Sequence, residues 1–236
     1  WSFSKSNERG DLMDGMAIVI AVGFIVCFLA YQMIKNHVLS KVSKAMQNQN
    51  YDLVLQLSEK SFYKRFMGSF VCDLYILRAL LNKGDNIGFK KYLMETLKKP
   101  YTLEKRKEVL DIYFYHFLFH EDKEWAFRLL EKIRETNDPQ YITYNEEAYS
   151  VMIEHNTDLL DTMIEGIENK KYSGLGLGIA VFMVGMQYLL LQDKDNARTY
   201  FYNSLSCFNK KSFYYAKAKA YVDRLTEELG AEDLDY

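Results

Sequence analysis

Two histidines, His116 and His120, stand four residues apart in a helical stretch, which puts their side chains on one face. That spacing can hold a metal ion, with Glu121 or Asp122 adding oxygen ligands. His120 falls where a helix should end, however, and histidine there serves terminal carbonyls instead. The helix-end role is favoured, and no metal is expected. Gly174, Gly176 and Gly178 resemble a phosphate loop only in spacing, since no Lys-Ser/Thr follows them and no β-type strand precedes them. Cys72 and Cys207 have no histidine beside them in sequence and read as core. The pairs Glu146-Glu147 and Glu227-Glu228 read as exposed helix residues. No catalytic residue and no cofactor is expected, which leaves recognition as the chemistry to look for.

The elements that must position any such surface are helical. Only 2 Pro interrupt long periodic stretches, and Pro is the residue that would break them. Aromatics make up 15%, a load suited to helix seams and to contact surfaces. A net charge of -2 withholds the basic footprint that nucleic-acid binding needs. The pairs Lys98-Lys99, Lys170-Lys171 and Lys210-Lys211 sit near turns and read as solvated helix ends. The 3 Cys, at 27, 72 and 207, form neither a disulfide framework nor a metal spacing. With no N-x-Ser/Thr sequon in the chain, this fits a cytosolic main domain.

Residues 16–34, MAIVIAVGFIVCFLAYQMI, carry no charge. As a helix they span about 28 Å, close to the hydrocarbon thickness of a bilayer, with every backbone group satisfied internally. The run is long for the apolar region of a secretory signal, and Tyr31-Gln32-Met33 offers no small-residue cleavage site. A retained single span is therefore expected. Lys35, Lys41 and Lys44 follow it with no acidic residue before Asp52, which places the C-terminal domain in the cytoplasm. The chain begins at Trp1, and residues 1–10 carry none of this inference. A second uncharged run, 174–191, is either a buried helix or a second span; its four glycines and its place in the pattern below favour the buried helix.

Past the span, helix, short polar turn and helix alternate. The turns fall at 47–51, 82–86, 120–123, 155–158 and 192–196, where Asn, Asp and Gly supply turn geometry and caps for the next helix. Shortly after each turn comes a residue expected to face its partner helix: Val54, Phe89, Ala126, Leu160 and Ala197, at separations of 35, 37, 34 and 37. The last unit reads Val181-x2-Val184-Gly185-x2-Tyr188, then Ala197-x3-Phe201-x2-Ser204. In this order of large, small and large residues the chain resembles the tetratricopeptide-repeat family. Gly185 and Ala197 would let two helices approach, and Phe201 would wedge between repeats. The third unit (Leu110, Tyr113, Phe114, Phe117, then Ala126, Leu130, Ile133) departs at Phe114, which is large where the family is small. The fourth (Tyr144, Ala148, Val151, then Leu160, Ile164, Ile167) departs at Leu160. The second keeps Ile76, Leu80, Gly84 and Leu93 but has Phe89 at the small site. The first keeps only its turn, Asn50-Tyr51-Asp52, and one amphipathic helix. The likeness covers about residues 37 to 207. Ser212–Leu229, with Tyr215, Ala218, Tyr221, Val222 and Leu225 on one face, is expected to cap the stack and to end at Gly230.

The expected fold is all-α: a tail (1–14), a transmembrane helix (15–35), a tetratricopeptide-like α-solenoid of about five hairpins with a capping helix (36–230), and an acidic tail (231–236). The resemblance implies a groove lined from the first helix of each unit, by Leu74 and Arg78, Asp111 and Tyr115, Asn145 and Tyr149, and Phe182 and Met186. Several of these residues have packing between repeats as their alternative role. The resemblance further implies a protein partner, either a subunit of a membrane complex or a cytosolic peptide segment. The function expected is that of a membrane-anchored scaffold; the alternative is a two-span subunit of a transporter or secretion machine.

Overall fold

The computed structural model describes residues 4–230, with side chains from residue 21 onward. Among these residues every regular element is an α-helix, so the fold is all-α. The acidic tail at 231–236 lies outside the described residues. The chain divides into two compact units, Trp1–Thr102 and Leu103–Tyr236. That boundary falls inside the stretch 36–230, which the sequence suggests is one repeat domain.

All five anticipated turns contain a residue in the left-handed region: Gln49, Gly84, Glu121, His155 and Gln192. Four of them also end in a side-chain cap. Asn50, Asp85, Asp122 and Asp193 each accept a hydrogen bond from the backbone N–H three residues on, at 2.9–3.2 Å. The fourth turn differs, because Leu159 occupies the cap position and its side chain has no oxygen to offer.

In the first unit, α1 (Ser4–Gln47) is a single rod that runs unbroken through the expected boundaries at 14/15 and 35/36. Nothing between Phe24 and Gln47 interrupts a helix, since neither Pro nor Gly occurs there. Its two described parts differ in what covers them. From Ala21 to Ile34 it is essentially bare, with Phe24 73% and Met33 73% exposed. From Val38 onward, Val38, Val42 and Ala45 are buried against Val54, Leu57, Tyr63 and Met67. Among the described residues α1 is the one helix long and apolar enough to cross a membrane.

The amphipathic stretch after the first turn forms two helices rather than one: α2 (Tyr51–Glu59) and α3 (Ser61–Met67). Lys60, between them, adopts an extended backbone that breaks the run. α4 (Ser69–Lys83) packs on α2 and α3, and α5 (Asn86–Lys98) packs on α4. A buried carboxylate ties this unit together. Asp73 of α4, 1% exposed, accepts hydrogen bonds from the Tyr92 hydroxyl (2.7 Å), the Tyr101 hydroxyl (2.7 Å) and Lys99 Nζ (2.6 Å). It thereby clamps α5 and the segment after it.

The second unit comprises α6 (Leu103–Phe119), α7 (Lys123–Arg134), α8 (Pro139–Ile153), α9 (Leu160–Glu168), α10 (Gly174–Leu190), α11 (Lys194–Leu205) and α12 (Phe213–Leu229). Each first helix packs on the next, α6 on α8 and α8 on α10, while α7, α9 and α11 fill in against α8, α10 and α12. α10 is the apolar helix in doubt from sequence, and its residues Gly176 and Gly178–Gly185 are buried among these neighbours. Phe201 wedges between α10 and α12, with ring centroids 4.9 Å from Phe182 and 4.7 Å from Tyr221. α12 buries Ala218, Val222 and Leu225 and ends at Gly230 in the left-handed region.

Three glycines of α10 each admit an aromatic ring. A Cβ on Gly176 would lie 3.2 Å from the Tyr144 ring, one on Gly178 2.4 Å from Phe208 Cε1, and one on Gly185 2.9 Å from Phe201 Cδ1. Gly178→Ala should therefore destabilise the second unit. Overpacking of about 1–3 kcal/mol exceeds the roughly 1 kcal/mol gained in helix propensity. Gly23→Ala, which meets nothing within 4 Å, serves as the comparison. Thermal unfolding followed by circular dichroism measures both, and an unchanged or raised midpoint for Gly178→Ala would refute the close approach. In the first unit, Asp73→Ala leaves three donors without their acceptor and should lower the unfolding free energy in urea by about 3–5 kcal/mol.

Candidate functional site

A cleft of about 510 Å3 opens in the second unit between α6, α8, the start of α10 and the start of α12. Helical spacing builds its first wall: Glu104, Lys107, Glu108 and Asp111 recur at three and four residues along one face of α6. The second wall is the beginning of α8. Asp138 caps that helix by accepting from the Tyr141 N–H at 3.1 Å, and Pro139 follows at a position where a missing N–H costs no helical bond. One turn on, Tyr141 and Tyr144 face inward. Gly176 lets the Tyr144 ring lie against α10, and Tyr214 of α12 closes the far end.

The hydrogen bonds fix these groups. The Tyr141 hydroxyl donates to Asp111 Oδ1 at 2.9 Å, and the Tyr214 hydroxyl donates to the Asp111 carbonyl oxygen. Lys107 Nζ lies 2.7 Å from Asp138 Oδ2 and 5.1 Å from the centroid of the Tyr141 ring. The Lys107 ammonium, with help from backbone N–H groups, holds the Asp138 carboxyl below its usual range. Asp111 goes the other way. Burial raises its pKa to about 6, against the opposing pull of the Tyr141 hydrogen bond and Lys107. Burial also raises the pKa of the Tyr141, Tyr144 and Tyr214 phenols, so all three stay neutral donors at physiological pH.

Four carboxylates, Glu104, Glu108, Asp111 and Asp138, thus line the cleft against one lysine, with three tyrosine rings between them. This combination of negative field and π faces suits a cation, by charge-assisted hydrogen bonds and by stacking. Lys107 over Tyr141 already shows that pairing within the chain.

The eight groove residues suggested by the resemblance separate in the structure. Leu74, half-buried, and Arg78, exposed, are on α4 of the first unit. Asp111 lies in the cleft. Tyr115, Asn145 and Phe182 are buried, which corrects their placement on an open groove. Over Tyr115 and one side of Phe182 the cover is the chain from Phe208 to Tyr214, which folds over this face. Tyr115 packs against Tyr214 at 5.3 Å, and Phe119 packs against both Phe182 and Phe213. Asn145 turns back to donate to the Tyr141 carbonyl at 2.7 Å. Tyr149, half-buried, leans on Phe127 of α7 rather than on the cleft, and Met186 is half-buried on α10.

Sequence reasoning missed Glu104, Lys107, Glu108, Asp138, Tyr141, Tyr144 and Tyr214. Continuing the α6 face backward from Asp111 would have found the first three. His120 is where its helix-end role puts it, with Nδ1 2.7 Å from the His116 carbonyl oxygen and the two imidazole centroids 4.3 Å apart. Among the described residues no group of three His, Cys, Asp or Glu is arranged to hold a metal.

No family model, curated protein or solved structure matches the chain.

Because folded Asp111 binds its proton more tightly than an exposed aspartate, stability should fall as pH rises from 3.8 to about 6, with the penalty fully present above that. Asp111→Asn, which keeps an acceptor for Tyr141, should raise the unfolding free energy at pH 7 by on the order of 2 kcal/mol and flatten this slope. Urea titrations at pH 4.5 and 7 measure it; equal changes at both would refute a partly desolvated, under-compensated carboxylate.

Proposed function

We propose that this protein is a membrane-anchored scaffold of tetratricopeptide type that docks a Lys- or Arg-bearing segment of a protein partner in the Asp111 cleft. The observation that carries the anchor is α1. Its apolar stretch is bare from Ala21 to Ile34, yet the same helix continues into the packed core through Val38, Val42 and Ala45. A signal sequence removed after targeting would have to be cut from a rod already committed to that core. Lys35, Lys41 and Lys44 favour the cytoplasmic side for both units. Anchoring then raises the effective concentration of the cleft for partners in or near the membrane.

The carboxylates and tyrosines of the cleft support a cationic ligand. Arg is favoured over Lys, because its planar fork can meet Asp111 while stacking on Tyr144. The two-span alternative draws no support from α10, whose apolar side chains are taken up by α8, α9 and α11.

In detergent, the full chain should bind a fluorescent Arg-rich peptide in preference to an acidic peptide of equal length, with affinity falling as salt rises. Asp111→Asn together with Tyr144→Ala should weaken the Arg-rich peptide by roughly tenfold or more, with far-UV circular dichroism unchanged. Equal binding of the two peptides, or no effect of the double variant, would reject the cleft. In membranes, alkaline carbonate should leave the chain in the pellet. Cysteines introduced as His155→Cys and Lys210→Cys should label from the same side; labelling from opposite sides would revive the second span.

A further inference from the structure

We propose that α3 is an interfacial helix, lying in the headgroup layer of the bilayer with Phe62 and Phe66 turned toward the acyl chains and Lys60, Lys64 and Arg65 against anionic lipid phosphates. This rests on the membrane reading of α1. Its own support is the placement of α3 along that helix. Tyr63 and Met67 are buried in the cluster that includes Val38 and Val42. On another side, the Phe66 ring lies 5.4 Å from Tyr31 and 4.9 Å from Phe62, which is 53% exposed. Tyr31 is seven residues, about 10 Å, before Val38 along α1 and lies inside the apolar stretch. It stands within about one helical turn of Ile34, where the uncharged run ends, and of Lys35, the first charge after that run.

The Phe62–Phe66–Tyr31 group therefore sits at the depth where a spanning α1 leaves the hydrocarbon. Tyrosine is enriched at that level, and amphipathic helices bury their apolar face there. The charges match the same surface. Lys60 and Arg65 are exposed and Lys64 half-buried, and none of the three forms an ion pair among the described residues. Of the nearby carboxylates, Asp52 is paired with Lys83 at 2.6 Å, and Glu59 is exposed one residue before Lys60. Phenylalanines rimmed by uncommitted cations at the foot of an apolar rod fit an anionic lipid surface, which supplies both the apolar layer and the phosphates.

Single tryptophans test this in the full chain, after Trp1→Phe and Trp125→Phe, in vesicles of phosphatidylcholine and phosphatidylglycerol. The Phe62→Trp chain should emit to the blue and lose most of its intensity to lipids brominated near the ester end of the acyl chain. Ile87→Trp, at a position 86% exposed on α5, should do neither. Adding Lys64→Glu and Arg65→Glu to the Phe62→Trp chain should remove most of the quenching. Phe24→Trp reports on the span by its quenching with lipids brominated at mid-chain. If Phe24→Trp is quenched and Phe62→Trp is quenched no more than Ile87→Trp, the interfacial helix is overturned while the anchor stands. If Phe24→Trp itself escapes quenching, the membrane reading falls and the proposal falls with it.

Discussion

The second unit is assembled around missing side chains. α10 lacks a Cβ at Gly176, Gly178 and Gly185, and each gap is filled by a ring from a different element: Tyr144 of α8, Phe208 of the turn before α12, and Phe201 of α11. A methyl group at any of the three would meet an aromatic atom at 3.2 Å or less, inside ordinary van der Waals contact. Tyr144 seated on Gly176 forms one wall of the cleft. Phe208 seated on Gly178 brings the following chain down onto α6. Phe201 seated on Gly185 sets the spacing of the last hairpin and of the helix that caps it. The glycines that lower the helix propensity of this run are thus what makes it a hub.

Two aspartates, Asp73 buried and Asp111 half-buried in the cleft wall, show how differently one residue type can be used. Asp73 is met by a lysine and two hydroxyls, so its charge is compensated and it acts as a clamp. Asp111 has one hydroxyl on its carboxylate, and its nearest cation is already engaged by Asp138. Burial without full compensation leaves it at odds with the fold at neutral pH, a condition more typical of binding sites than of structural charges. On the proposed reading, an arriving guanidinium would supply the missing partner and draw the proton off, linking recognition to pH.

On the proposed reading, α1 joins two solvents in one element. Its bare apolar stretch and its packed stretch share an unbroken backbone, so on the proposed reading the first unit is held rigidly to the bilayer rather than strung from it by a linker. A tether of that kind limits the orientations a unit can adopt at the surface, and the Tyr31–Phe66 contact would limit them further.

Much of this was legible along the chain because it is local. A left-handed turn residue followed by Asn or Asp closes a helix and caps the next one within about five residues, which is why the turns at Gln49, Gly84, Glu121 and Gln192 could be placed. The all-α class, the 34–37-residue period, the apolar rod and the Gly185–Phe201 wedge follow from spacing along single helices or adjacent pairs. The break at Lys60 was not legible, since a backbone turn there has no Gly or Pro to announce it. Nor was the cover over Tyr115, which depends on Tyr214 reaching Asp111 across 103 residues. Helical periodicity decides which face of each helix is apolar. Only tertiary packing decides which of those faces stay open, because a side chain's burial and its pKa depend on neighbours brought close by the whole chain. On α6 it sealed the end bearing Tyr115 and left open the end bearing Glu104, Lys107 and Asp111.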